Sequence, residues 1–159
     1  MMKQKNIGVD AAIQKIAHYC AYQERTHQET REKLYSFGLY PNEVEEIIGR
    51  LIEENYLNEE RFALAYAGGK FRINQWGKMK IKYSLQQKRV SAACIATALN
   101  SLDDEAYQVQ LNKLAETKWV LLKKEKNIFS RKKKLFSYLQ QKGYESFLIQ
   151  DWLSKIIKQ

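Results

Sequence analysis

Asn55-Tyr56-Leu57-Asn58-Glu59-Glu60-Arg61-Phe62-Ala63, continuing to Trp76-Gly77 and then from Lys78 to Arg89, is where one helical unit closes and the next opens. Asn58 is a good N-cap residue, and Glu59 and Glu60 sit favourably at the positive end of the helix it starts. From Arg61 to Leu102 the chain runs 42 residues without an Asp or Glu. The same stretch holds eight basic residues: Arg61, Lys70, Arg72, Lys78, Lys80, Lys82, Lys88 and Arg89. A polyanion is the natural partner for so one-sided a run.

Working outward, the charge is unevenly distributed. Of 159 residues with a net charge of +9, residues 11–60 hold five basic and ten acidic groups, whereas residues 103–159 hold twelve basic and seven acidic ones. The chain thus has an acidic head and a basic body. Its apolar runs are too short to cross a bilayer, and residues 1–10 lack the apolar segment of a secretory signal, so the expected setting is cytoplasmic. Cys20 and Cys94 each lie in an apolar helical pattern and read as reduced, buried thiols.

Period-two alternation is absent, while apolar residues recur at i, i+3, i+4 and i+7, so the fold class is all-α. Asp10 is the expected cap of a helix over 11–24. Thr26-His27-Gln28-Glu29 has capping-box spacing, Gly38 stops the second helix and Pro41 begins the third. Gly68-Gly69 falls inside the fourth, where a bend or a close helix–helix contact is expected. Gly77 opens the fifth, Ser91 caps the sixth, Asp103-Asp104 begins the seventh, Ser130 caps the eighth and Gly143 ends it.

Aligning Gly38, Arg89 and Gly143, which lie 51 and 54 residues apart, exposes an internal repeat. Four residues upstream are Leu34, Leu85 and Leu139; eight upstream are Thr30, Ile81 and Leu135. Six downstream are Val44, Ile95 and Ile149; ten downstream, Ile48, Leu99 and Leu153; thirteen downstream, Leu51, Leu102 and Ile156. The repeat predicts three tandem three-helix modules, residues 1–57, 58–102 and 103–159, in an elongated, curved array.

These residues carry a family resemblance. Asn55-Tyr56-Leu57-Asn58-Glu59-Glu60-Arg61-Phe62-Ala63-x-x-Tyr66, the basic residues after it, and Gly77-x-x-x-Ile81-x-x-x-Leu85-x-x-Lys88 resemble the signature of the RecX family, regulators of the bacterial recombinase RecA. The resemblance covers about residues 11–157. It implies tandem three-helix modules, no enzymatic activity, no cofactor, and binding in the groove of the RecA–DNA filament, usually with inhibition. Asn55 and Asn58 stand where the family usually has Gly and Asp. Arg89 occupies a position where Gly is common.

No catalytic constellation emerges from the residues themselves, and no metal-ligand spacing. Taking α-helical geometry through residues 78–89 and Ile81 as the inward direction, Lys78, Lys82 and Arg89 fall at about 60°, 100° and 80°, one stripe beside the core face, with Lys80 on the other flank. Lys70, Arg72 and Lys132 extend the candidate DNA- or filament-binding set. The four-residue run Arg131–Lys134 points around most of its helix. Trp76 is open to two readings, a stacking platform or, in preference, an aromatic between modules. The expected function is recombinase-filament regulation by a monomer that contacts RecA and the phosphates of single-stranded or duplex DNA. The alternative is an autonomous helical DNA- or RNA-binding protein.

Overall fold

The computed structural model describes residues 5–157, and among these there are nine α-helices and no strands. They are α1 (Val9–Tyr22), α2 (His27–Ser36), α3 (Pro41–Glu53), α4 (Glu59–Arg72), α5 (Lys78–Gln87), α6 (Ala92–Asn100), α7 (Asp104–Leu121), α8 (Ile128–Lys142) and α9 (Ser146–Ile157). The principal helix pairings all fall within three consecutive triplets: α1 with α2 and α3, α4 with α5 and α6, and α8 with α7 and α9. The chain exposes 10471 Å², against about 8,300 Å² for a compact monomer of its mass. The triplets thus form an elongated tandem array.

Local signals explain most helix ends. Thr26 and Glu29 form a reciprocal capping box, Pro41 occupies the first turn of α3, and Asn58 accepts the Arg61 N–H at 2.9 Å. Ser91 caps α6 and Asp103 caps α7. Two expected caps shift. Gly8, not Asp10, precedes α1, which puts Asp10 inside its first turn. Asn127, not Ser130, caps α8 by accepting from the N–H groups of Phe129 and Ser130. Asn127, one turn earlier, satisfies the first orphan donors of a longer helix.

The repeat appears directly in backbone conformation and burial. Gly38, Arg89 and Gly143 all have positive φ, at 81°, 60° and 102°. Leu34, Leu85 and Leu139 are fully buried, as are Thr30, Ile81 and Leu135. Thr30 can replace an aliphatic residue because its hydroxyl donates to the Thr26 carbonyl at 2.7 Å. Asn55, at φ 62°, takes the left-handed conformation that its place in the motif requires.

Two features depend on how the helices pack. The modules do not each keep a private core: residues from α1–α3 form one apolar cluster, whereas those of α4–α9 form a single continuous one. At Gly68-Gly69, where a bend or a close helix contact was expected, a neighbouring helix is not the first thing a Cβ would meet. What lies over Gly68 is the guanidinium of Arg72, one turn along the same helix, and a Cβ on Gly69 would meet nothing within 4 Å.

Candidate nucleic-acid interface

Helices α4 and α5 are joined by a tight turn through Gln75, at φ 60°, and the Trp76 N–H donates back to the Lys70 carbonyl at 3.1 Å. That geometry places the Trp76 ring beside the end of α4 and the start of α5. Ile81 and Leu85 face the core, so Lys80, Ser84 and Lys88, four residues apart, share another face of the helix. The Ser84 hydroxyl meets the hydroxyl of Tyr66 on α4.

Three lysines converge on these two rings. Lys70 Nζ lies 5.5 Å from the Tyr66 centroid and 4.9 Å from that of Trp76. Lys80 Nζ is 4.6 Å from Trp76, and Lys88 Nζ is 5.6 Å from Tyr66. Among the described residues, none of the three is within salt-bridge distance of a carboxylate. The rings act as posts that limit the freedom of long cationic chains. A phosphate backbone meeting them loses less side-chain entropy than it would on free lysines.

The residues singled out from the sequence have different surroundings. Lys70 belongs to the cluster just described, while Arg72 is exposed and lies over Gly68. Lys78 turns to the third helical triplet: its ammonium is 3.9 Å from Asp104 and 4.9 Å from the Tyr107 ring. Lys82 edges an apolar groove of about 330 Å³ between α5 and α6, with Ile95 and Leu99. Arg89 lines a cleft of about 460 Å³ facing α2, with His27, Arg31 and Glu59.

Lys78 and Lys82, four residues apart on α5, keep to one flank of it, but the expected three-residue stripe is broken at Arg89. The angular argument treated residues 78–89 as one helix, but α5 stops at Gln87 and Arg89 is left-handed. Lys132 is half-buried near Phe129, its Nζ 5.9 Å from the ring centroid, far along the chain from this face. Its neighbours disperse as expected: Arg131 stacks on Trp119 at 3.8 Å, and Lys134 pairs with Glu125.

Lys80 and Lys88 lay outside the candidate binding set drawn from the sequence. The available signal was the four-residue spacing of Lys80, Ser84 and Lys88, echoed by Tyr66 and Lys70 on α4. Trp76 both packs on the shared core and carries two cations.

Families built from known proteins match the same region. A family model described as the second three-helix domain of RecX matches residues 58–99, and one described as the third matches residues 105–153. The chain belongs to the RecX family.

"Regulatory protein RecX" of Clostridium perfringens (strain SM101 / Type A) is 37% identical over 121 residues, 76% of this chain and 56% of that one. The RecX protein of Prosthecochloris aestuarii is 29% identical over 146 residues, covering 92% of this chain and 93% of that one. The chain spans little more than half the length of the clostridial relatives it matches. The crystal structure of RecX from Lactobacillus salivarius superposes with a TM-score of 0.85 at 22% identity over 95% of this chain and 97% of that one, a likeness of fold.

Proposed function

We propose that this RecX-family chain binds the RecA recombinase filament on DNA and restrains its activity, acting by occupancy rather than catalysis. The modular boundaries at 57/58 and 102/103 belong to the same reading, with the tandem units lying along successive protomers. The observation that carries it is the α4–α5 face, where Lys70, Lys80 and Lys88 are fixed on Tyr66 and Trp76 without compensating carboxylates. Fixed cations suit a rigid, repeating polyanion, and the elongated array suits a groove better than a small-molecule pocket.

The test is recombinase ATPase on single-stranded DNA, with this protein added before or after filament assembly. A filament binder inhibits in both orders. An autonomous nucleic-acid binder competes for bare DNA and inhibits only when added first. Preformed filaments that stay fully active at concentrations that coat bare DNA would reject the proposal in favour of that second reading.

A further inference from the structure

The acidic head contains a cationic cleft. Residues 11–60 have five basic side chains, Lys15, Arg25, Arg31, Lys33 and Arg50, against ten glutamates. Arg31 pairs with Glu45. Three of the other four, Lys15, Arg25 and Lys33, line one cleft of about 400 Å³ between α1 and α2. Among the described residues, none of the three is within salt-bridge distance of a carboxylate, although glutamates outnumber cations two to one in this module.

Aromatic rings hold these cations as they do on α4–α5. The Arg25 guanidinium stacks 3.7 Å from the Tyr19 centroid while its Nε donates to the Tyr19 carbonyl at 3.0 Å. Lys33 Nζ lies 5.6 Å from Tyr19 and 5.8 Å from Phe37, and Lys15 Nζ lies 5.7 Å from Phe37. The acidic groups of this region are engaged or turned to solvent: Glu24 pairs with Arg61, the Glu29 carboxylate accepts the Thr26 N–H in the capping box, and Glu32 is exposed on α2. At the lip of the cleft, Tyr22 is 79% exposed. No middle-module residue lines the cleft.

We propose that this cleft is a second binding site, for single-stranded nucleic acid, with backbone phosphates on Lys15, Arg25 and Lys33 and a base stacked on Tyr22. A groove of cations beside an open aromatic ring is the arrangement that grips single strands without reading sequence. Tyr19 and Phe37 already have their faces occupied by cations, so Tyr22 is the ring left for a base. The site lies on the module whose overall charge opposes DNA, and it goes beyond the α4–α5 face by giving the array two separate contacts along one strand.

The test uses the full chain and a labelled dT oligonucleotide containing 5-iodouracil, titrated over a range of salt. The Lys15→Ala/Lys33→Ala variant should bind about tenfold more weakly at low salt, with the salt slope reduced by about 1.4, two single-strand contacts. Tyr22→Ala should lose about fivefold in affinity together with the photo-crosslink at residue 22, and Tyr22→Phe should restore the affinity. All three positions are exposed, and an unchanged helical circular dichroism spectrum serves as the folding control. Lys70→Ala/Lys80→Ala/Lys88→Ala, measured alongside, separates the two sites. First-module variants that bind as wild type while that triple variant is weakened would overturn this second site and leave the proposed function intact. Weakening confined to recombinase protein without DNA would also overturn it, by assigning the cleft to an acidic protein surface.

Discussion

Where α1–α3 meets α4–α6 the apolar cores stay separate and the links are polar, whereas α4–α6 and α7–α9 share one core and touch backbone to backbone. At the first junction Arg61 reaches from α4 to Glu24 and also donates to the carbonyls of Asn55 and Tyr56. At the second, the N–H groups of Gly77 and Met79 donate to the carbonyls of Lys142 and Gly143, both at 2.8 Å. Tyr107 accepts the Lys78 N–H at 2.9 Å and donates to Glu145, while Tyr144 donates to Gln75 and accepts from Gln110. A solvent-accessible ion pair is weak and screened, and a buried hydrogen-bonded seam is neither. The middle and third modules should therefore behave as one unit to which the first is loosely attached.

The strongest way to break this contrast is at the glycines. A Cβ on Gly77 would lie 2.4 Å from the Gly143 backbone, and one on Gly143 would lie 2.4 Å from the Lys80 Cβ at a φ of 102°. Gly143→Ala should cost about 3 kcal/mol or more, combining a clash with left-handed strain, read as a fall in the denaturation midpoint. A midpoint unchanged within error would mean that the seam is not closely packed.

Leu85→Ala should cost about 2–5 kcal/mol and lower the unfolding of α4–α9 as a whole. Leu34→Ala, equally buried in the repeat, should lower only an early transition belonging to α1–α3. Hydrogen exchange resolves the two cases. A Leu34→Ala variant that loosens α8 and α9 as much as α2 and α3 would erase the distinction between the junctions.

Tyrosine titration gives a smaller, pH-dependent effect. Burial pushes the Tyr144 hydroxyl up to about 12 from its ordinary value near 10, and burial together with the bond to Glu145 raises Tyr107 further. Both are neutral in the folded chain at a pH where the unfolded chain has begun to ionise. Their contribution is complete below about pH 10 and is lost as pH rises above it through the folded values. Tyr107→Phe should cost about 1–3 kcal/mol at neutral pH, because it strips partners from the Lys78 N–H and Glu145, and should flatten the alkaline decline. An alkaline decline as steep as wild type would remove Tyr107 from the seam.

The smallest effect belongs to the polar junction. Glu24→Gln should cost no more than about 1 kcal/mol and should lose even that in high salt. A larger, salt-insensitive loss would make the first junction as firm as the second.

The repeat was legible because its columns are set by local chemistry. A left-handed stop at residues 38, 89 and 143, with leucine four residues before it, needs no knowledge of neighbouring helices. The merged core and the cationic face were less legible, since both depend on how helices meet. A helical wheel for α5 puts Lys80 and Lys78 on opposite flanks, but cannot show that Asp104 attends Lys78 while Trp76 receives Lys80. Net charge likewise hid the first-module cleft, because a module-wide sum averages three clustered cations against ten dispersed glutamates.

The most direct measurement of the central claim is inhibition of preformed recombinase filaments by Lys70→Ala/Lys80→Ala/Lys88→Ala, set beside Lys78→Ala, with ATPase as the readout. If the aromatic-pinned lysines hold the filament, the triple variant should lose at least about tenfold in inhibitory potency, with stability lowered by no more than about 1–2 kcal/mol. Lys78→Ala should inhibit nearly as well as wild type. A triple variant as potent as wild type, or a potency that falls only with Lys78→Ala, would contradict the account.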